Sequence, residues 1–114
     1  MENRRVFTLK KSSDFLYLSK QGIKLRLAVW LTLQYTEGES DKLLVGVTAS
    51  KKVGSAVTRN KLKRWVKLSV RSAQFKEEFY GKKVVFVFRP KDKEFYKKLK
   101  YQDFFTKFET AKVS

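Results

Sequence analysis

The chain has 114 residues, which suits one compact domain, so we expect residues 1–114 to share a single core. Its 27 Lys and Arg residues against 11 Asp and Glu residues give a net charge of +16, which favours a polyanionic partner, nucleic acid above all. The sequence contains no Cys and no His, which disfavours thiol or imidazole catalysis and the usual zinc sites.

The apolar segments of the sequence are short. None approaches the roughly 20 residues needed to span a bilayer, and the first residues lack the apolar core of a signal peptide. The basic segments are interleaved with apolar, strand-like residues instead of forming one isolated amphipathic helix, which favours RNA over an anionic membrane. We therefore expect a cytoplasmic protein that does not bind membranes.

The first half of the chain predicts a helix followed by a β-hairpin. Residues 13–21 predict a short helix, on which Phe15 and Tyr17 are about 200° apart and cannot both face one narrow core stripe. Residues 24–35 alternate with a period of two and predict one long strand. The polar turn 36–42 and the apolar run 43–50 predict a second strand that runs back beside the first.

The two predicted strands each carry a face that differs from an ordinary core face. Trp30 stands in the middle of the polar face of the first strand, where it either lines a ligand site or packs under the first helix. On the second strand, Gly46 shares a face with hydroxyl side chains, so the backbone of a ligand could approach closely there. The candidate residues on these faces are Arg26, Trp30, Thr32, Thr48 and Ser50.

Residues 55 to about 79 contain neither Gly nor Pro and predict a helix of up to six turns, capped by Ser55 or Thr58. At about 100° per residue, one arc of this helix predicts the core face. That arc consists of Leu62, Trp65, Val66, Ser69, Val70 and Ala73. A second, basic arc consists of Arg59, Lys63, Arg64, Lys67 and Arg71, with Asn60 near its middle and Lys61 alone on the other flank.

The basic arc is unlike an ordinary solvated helix face. Residues 59, 63, 67 and 71 are all cations and repel one another at a spacing of four, whereas a solvated face usually mixes the two signs. The arrangement is typical of a face that binds phosphates.

The last third of the chain predicts one strand and one helix. Residues 84–88 are apolar on both faces and predict an inner strand, which Pro90 ends. Residues 94 to about 110 predict an amphipathic helix. The order predicted from the residues is therefore α-β-β-α-β-α.

The stretch around the basic arc resembles the signature of the bacterial ribonuclease P protein component. The matching residues are Ser50, Lys51, Lys52, Val53, Gly54, Ala56, Val57, Arg59, Asn60, Lys63 and Arg64. Segments 9–22 and 80–91 also resemble the entry helix and the last strand of that family. The chain departs from the family pattern at Lys61 and Lys67, which keep the charge of Arg without its bidentate fork, and at Ser19, where many members carry an aromatic residue.

The resemblance implies a single α+β domain with a two-layer, ribosomal-protein-like fold and a mostly antiparallel sheet. It also implies that the long basic helix joins two parallel neighbouring strands by a left-handed crossover, against the usual right-handed rule. The implied function is that of the protein subunit of ribonuclease P, which assists a catalytic RNA in removing the 5′ leader from precursor tRNA.

The resemblance implies two RNA-binding surfaces, no catalytic residue and no cofactor on the protein itself, with Mg²⁺ bound by the RNA subunit and no DNA partner. The surface for the catalytic RNA would consist of Lys51, Lys52, Arg59, Asn60, Lys61, Lys63, Arg64, Lys67 and Arg71. The cleft for the single-stranded leader would be lined by Phe15, Tyr17, Arg26, Trp30, Thr32, Thr48 and Ser50.

Two other functions remain open at this level. A non-catalytic RNA-binding module, such as a ribosomal protein or an RNA chaperone, would have the same charge and aromatic content, so only the signature spacing separates it. A protein-only nuclease is disfavoured, because the carboxylates of this chain lie in different predicted elements without paired spacing. These carboxylates belong to Asp14, Asp41, Asp92 and Asp103.

Overall fold

The computed structural model describes residues 6–38, 42–71, 79–92 and 94–110. The strands are β1 (Val6–Thr8), β2 (Ile23–Ala28), β3 (Leu31–Glu37), β4 (Leu43–Ala49) and β5 (Lys82–Phe88). The helices are α1 (Ser12–Gln21), α2 (Ala56–Val70), α3 (Phe95–Lys98) and α4 (Tyr101–Phe108). These described elements confirm the α+β class, but they add β1 to the predicted order and divide one predicted strand and one predicted helix in two.

The strands form one mixed sheet in the order β1-β4-β5-β3-β2. The prediction that β4 runs back beside the preceding strand is wrong, because β5 lies between β3 and β4. Two of the four pairings are parallel and two antiparallel, so the expectation of a mostly antiparallel sheet is wrong as well. The inner position of β5 is confirmed, and so is the parallel pairing of β4 with β5 that the crossover through α2 requires. The handedness of that crossover stays a prediction.

Helices pack on both faces of the sheet, so the expected two-layer arrangement is wrong. On one face Phe86 belongs to the larger core, together with Trp65 of α2 and Phe104 of α4. On the other face Val85 belongs to a smaller cluster with Leu18 of α1. Because successive strand residues point to opposite faces, these neighbours in β5 contribute to two separate cores.

Residues 24–35 form two strands instead of one. β2 ends at Ala28 and β3 begins at Leu31, which leaves Val29 and Trp30 as a two-residue turn. The register shifts between Arg26 and Ala28, so a bulge precedes the turn. Neither turn residue has a positive φ, so this turn is not of the type that Asn-Gly sequences form. The sequence therefore carries no signal that marks this short hairpin.

α2 begins where the sequence predicts. The Ser55 side chain accepts a hydrogen bond from the Thr58 N–H at 3.3 Å, which identifies Ser55 as the cap. The buried residues of α2 are Thr58, Leu62, Trp65, Val66, Ser69 and Val70. They confirm the predicted core arc except for Ala73, which lies outside the described residues, as does the predicted helical extension over 72–78.

The predicted helix over 94–110 is broken between α3 and α4. Leu99 and Lys100 are extended, with ψ angles of 134° and 156°. Asp103 accepts a hydrogen bond from the Lys100 N–H at 3.0 Å and so stabilises the start of α4. The break places Tyr96 of α3 in the larger core.

Candidate nucleic-acid interface

The cations of α2 form an exposed stripe beside its core face. We call the exposed residues Asn60, Lys63, Arg64, Lys67 and Arg71 the basic stripe. Within the described part of the chain, its cations have no acidic partner. Lys51 and Lys52 are exposed in the turn before α2, which is closed by a hydrogen bond from the Val53 N–H to the Ser50 carbonyl at 2.9 Å.

Two of the predicted RNA-binding cations contact the protein itself. Arg59 is half-buried, and its Nε donates to the Gly54 carbonyl at 3.3 Å. Lys61 donates from Nζ to the Tyr96 carbonyl at 2.7 Å and lies 5.1 Å from the ring centroid of Trp65. The structure therefore does not bring Lys61 together with the basic stripe.

A row of directly paired residues crosses the sheet on the face that carries α1. Arg26 pairs with Thr32, Thr32 with Val87, and Val87 with Thr48. Paired residues share a face, and the row lies two residues further along the strands than Val85, which packs under α1. Its ends, Arg26 and Thr48, are exposed, while Thr32 near its middle is only 6% exposed. We interpret this row as the floor of a shallow groove beside α1.

Phe15 forms the wall of this groove. It packs against Gly46 so closely that a Cβ on Gly46 would lie 2.5 Å from Phe15 Cζ. The missing side chain of Gly46 therefore makes room for the helix, not for a ligand as the sequence suggested. Phe15 is half-buried, and Gly46, which it covers, lies two residues before Thr48 on the same face of β4. We call Phe15, Arg26, Thr32, Thr48 and Ser50 the α1 cleft.

Ser50 and Tyr17 differ in their relation to the cleft. Ser50 is exposed just past the end of β4, two residues beyond Thr48. Tyr17 is 53% exposed and lies on the side of α1 opposite to Phe15, because the two residues are about 200° apart around the helix. The structure thus separates Tyr17 from the α1 cleft.

The placement of Trp30 corrects both alternatives that the sequence left open. Trp30 is 7% exposed and belongs to the larger core, on the face opposite to α1. Its ring centroid lies 5.8 Å from that of Phe95 and 6.4 Å from that of Tyr96, so it packs under α3. A buried indole has no accessible face on which a base could stack.

Tyr96 holds the turn that contains Trp30. Its hydroxyl donates to the carbonyl oxygens of Arg89 at 2.5 Å and Trp30 at 3.2 Å. Burial raises the pKa of this phenol well above its usual range, because removal from water disfavours the phenolate.

Sequence reasoning missed Arg89 as a candidate for the cleft. Arg89 is exposed and follows Val87 by two residues, so strand alternation places it on the face of the α1 cleft. Its backbone N–H donates to the Trp30 carbonyl at 2.9 Å, which fixes the backbone there. The sequence signal that could have identified Arg89 is its position directly after an inner strand, where a cation is exposed at the end of the sheet.

The described acidic side chains belong to separate elements and loops. Asp14 pairs with Lys83 at 3.1 Å and thereby links α1 to β5, while Glu94 lies 3.7 Å from Lys97. Over the described ranges, no three acidic residues come close enough to hold a metal ion together. In the same ranges, no helix has both the length and the apolar character that crossing a bilayer would require.

Comparison with known proteins identifies the family. The family model for Ribonuclease P matches residues 4–112. The chain belongs to the ribonuclease P protein family. It is 35% identical over 94 residues to the ribonuclease P protein component of Clostridioides difficile, covering 82% of either chain. It is 32% identical over 85 residues to that of Gluconacetobacter diazotrophicus, covering 75% of this chain and 73% of the relative.

The solved structures agree with this assignment. The ribonuclease P protein from Thermotoga maritima superposes with a TM-score of 0.73 at 26% identity, over 93% of this chain and 91% of that one. This ribonuclease P protein is accordingly a subunit of a tRNA-processing ribonucleoprotein. The family match excludes the ribosomal-protein and chaperone alternatives, which charge and aromatic content alone left open.

Replacing Lys61 with methionine is expected to lower the stability of this ribonuclease P protein and not its affinity for RNA. Methionine keeps an apolar stem but loses the hydrogen bond to the Tyr96 carbonyl, which costs about 1–2 kcal/mol of unfolding free energy. Lys63→Met is the matched control, because exposed Lys63 should change stability by less than about 0.5 kcal/mol and weaken RNA binding instead. Urea unfolding and RNA titration measure the two effects. If Lys61→Met leaves the unfolding free energy unchanged but weakens RNA binding, Lys61 belongs to the RNA interface.

Proposed function

We propose that this chain binds the catalytic RNA of ribonuclease P through the basic stripe and the single-stranded 5′ leader of precursor tRNA through the α1 cleft. The observation that carries the proposal is the α1 cleft, where a half-buried aromatic ring lies near one end of a row that has an exposed hydroxyl at that end and an exposed cation at the other. A second observation, the one-signed charge of the basic stripe, supports a separate contact with RNA.

The basic stripe fits a contact with folded RNA. Its cations repel one another along the helix unless phosphates offset them, and Lys51 and Lys52 extend the positive surface at the start of α2. Such a contact is electrostatic and depends strongly on salt. Charge near the RNA's active centre would also favour the occupancy of nearby Mg²⁺ sites, which we assign to the RNA subunit.

The α1 cleft fits an unpaired strand. Phe15 offers a ring on which a base can stack, at about 1–3 kcal/mol per base and with little preference for sequence. Arg26 and Thr48 offer a charge and a hydroxyl at opposite ends of the floor, where they can contact the sugar–phosphate backbone. Sequence tolerance suits a subunit whose substrates share a processing site and differ in their leaders. We further propose that this reaction takes place in the cytoplasm.

Phe15→Ala is expected to weaken binding of leader-bearing precursor by about 10-fold, because the stacking platform is lost. Binding of mature tRNA should stay unchanged, since it has no leader. Tyr17→Ala is the matched control, because it removes an aromatic residue from the opposite side of the same helix. Affinity of the assembled ribonucleoprotein for both tRNA forms measures the difference.

Two outcomes would contradict this assignment. Equal losses for precursor and mature tRNA in Phe15→Ala would mean that Phe15 supports the fold or the assembly and not the leader. A precursor-specific loss in Tyr17→Ala, with Phe15→Ala unaffected, would move the leader to the outer side of α1.

A further inference from the structure

A cavity of about 260 Å³ lies at the edge of the sheet, between the end of β1, the edge of β4 and the basic stripe. We propose that this cavity binds one unpaired nucleotide of RNA, with the base inside it and the adjoining phosphates on the cations of α2. The inference rests on the proposed function and extends it, because the cavity lies between the α1 cleft and the basic stripe.

The cavity wall has an apolar part suited to a flat ring. Phe15 closes one side, and the half-buried Val6 and Val47 add apolar surface to the wall. Sites for drug-sized ligands measure about 300–1,000 Å³, so this volume suits something smaller, such as a single base. The accessible part of Phe15 would then be shared between the cavity and the α1 cleft.

The mouth of the cavity is cationic. Lys63, Lys67 and Arg71 line it at a spacing of four residues, which places successive cations about 6 Å apart along the helix. These three side chains form no ion pair with any residue that the structure describes. A base alone carries no charge, so their presence favours a ligand that brings phosphates with it.

The edge of β4 offers hydrogen-bonding groups that no described residue uses. β1 pairs with β4 only up to Val45, whose carbonyl accepts the last bond, from the Leu9 N–H at 2.8 Å. Val47 is two residues further along, so its N–H and C=O point toward the same edge, where no described residue pairs with them. A donor and an acceptor side by side can pair with the edge of a base, which also carries both.

The nucleotide can come from either of two RNA molecules, the precursor or the catalytic RNA, and cross-linking distinguishes them. The sequence has no cysteine, so Thr8→Cys introduces a single thiol at the cavity wall for an azidophenacyl photo-cross-linker. In the assembled ribonucleoprotein with precursor bound, we expect cross-links to one or two adjacent nucleotides of one RNA. Thr106→Cys, exposed on α4 outside the cavity, is the control and should not reach those nucleotides. Absence of a cross-link from Thr8→Cys to either RNA would overturn the proposal.

Filling the cavity provides an independent measurement. Thr8 is exposed on an edge strand, so Thr8→Trp should fold and project a ring into the cavity. We expect about a 10-fold loss of affinity for whichever RNA is cross-linked, and no loss for Thr106→Trp. If Thr8→Trp binds both RNAs normally while Phe15→Ala still loses leader affinity, the nucleotide cavity is excluded and the leader cleft stands. If Thr8→Trp does not fold, the cross-linking result alone decides.

Discussion

Trp30→Ala is expected to lower the unfolding free energy by about 3–5 kcal/mol, the usual cost of truncating a large buried aromatic side chain. Trp30 is 7% exposed and contacts aromatic rings of β5 and α3, with centroid distances of 6.5 Å to Phe88 and 5.8 Å to Phe95. Removing it leaves a cavity under α3 at the point where the backbone turns from β2 to β3. Urea unfolding monitored by far-UV circular dichroism measures the loss.

The controls for this prediction separate packing from RNA binding. Tyr17→Ala removes an aromatic residue that is 53% exposed and should change stability by about 0.5 kcal/mol or less. Trp30→Phe should recover part of the loss, because a smaller ring still fills some of the space. If Trp30→Ala unfolds like the unmodified protein but loses affinity for precursor, our placement of Trp30 in the core is wrong.

Replacing Arg64 and Lys67 together with alanine is expected to weaken assembly with the catalytic RNA by about 10- to 30-fold at about 0.15 M monovalent salt. Each phosphate contact makes the negative slope of log affinity against log salt steeper by about 0.7–0.9. The loss of two contacts should therefore make the slope shallower by about 1.4–1.8. The difference should vanish as the salt concentration approaches about 1 M. Both residues are exposed on the basic stripe, so the fold should be unaffected.

The matched control is a second double variant that removes two positive charges from a different part of the surface. Lys97 and Lys107 are exposed on α3 and α4, outside both proposed RNA surfaces. Their replacement by alanine should leave the salt slope almost unchanged. If the two double variants lose affinity equally, total charge and not the basic stripe governs assembly.

The fold positions the two proposed surfaces on different sides of the sheet. α1 covers part of one face and leaves the row from Arg26 to Thr48 beside it, while α2 packs on the other face and presents the basic stripe outward. β4 connects them, since Thr48 belongs to the α1 cleft and the chain enters α2 a few residues later. RNA bound to both surfaces would therefore pass the edge of β4, where the further cavity lies.

The α1 cleft shows the limits of sequence reasoning. Arg26, Thr32 and Thr48 were candidates because polar residues alternated with apolar ones, and strand geometry places them in one row. Trp30 followed the same alternation and is nevertheless buried, because a bulge and a two-residue turn interrupt the strand without a glycine or asparagine to mark them. The sequence predicts room for a ligand beside Gly46, whereas a phenylalanine from a different element occupies that space.

The features that depend on local backbone geometry could be predicted from the residues alone. The helical period separates the core face of α2 from its cations, Ser55 caps the helix through its own side chain, and an all-apolar run makes β5 an inner strand. Which strands are neighbours and which cations contact the protein itself depend on segments that are distant in the sequence. Lys61 shows why, since its partner is a backbone carbonyl 35 residues away, and every residue type carries the same carbonyl. The insertion of β5 between β3 and β4 likewise depends on backbone hydrogen bonds, which cannot be predicted from any particular side chain.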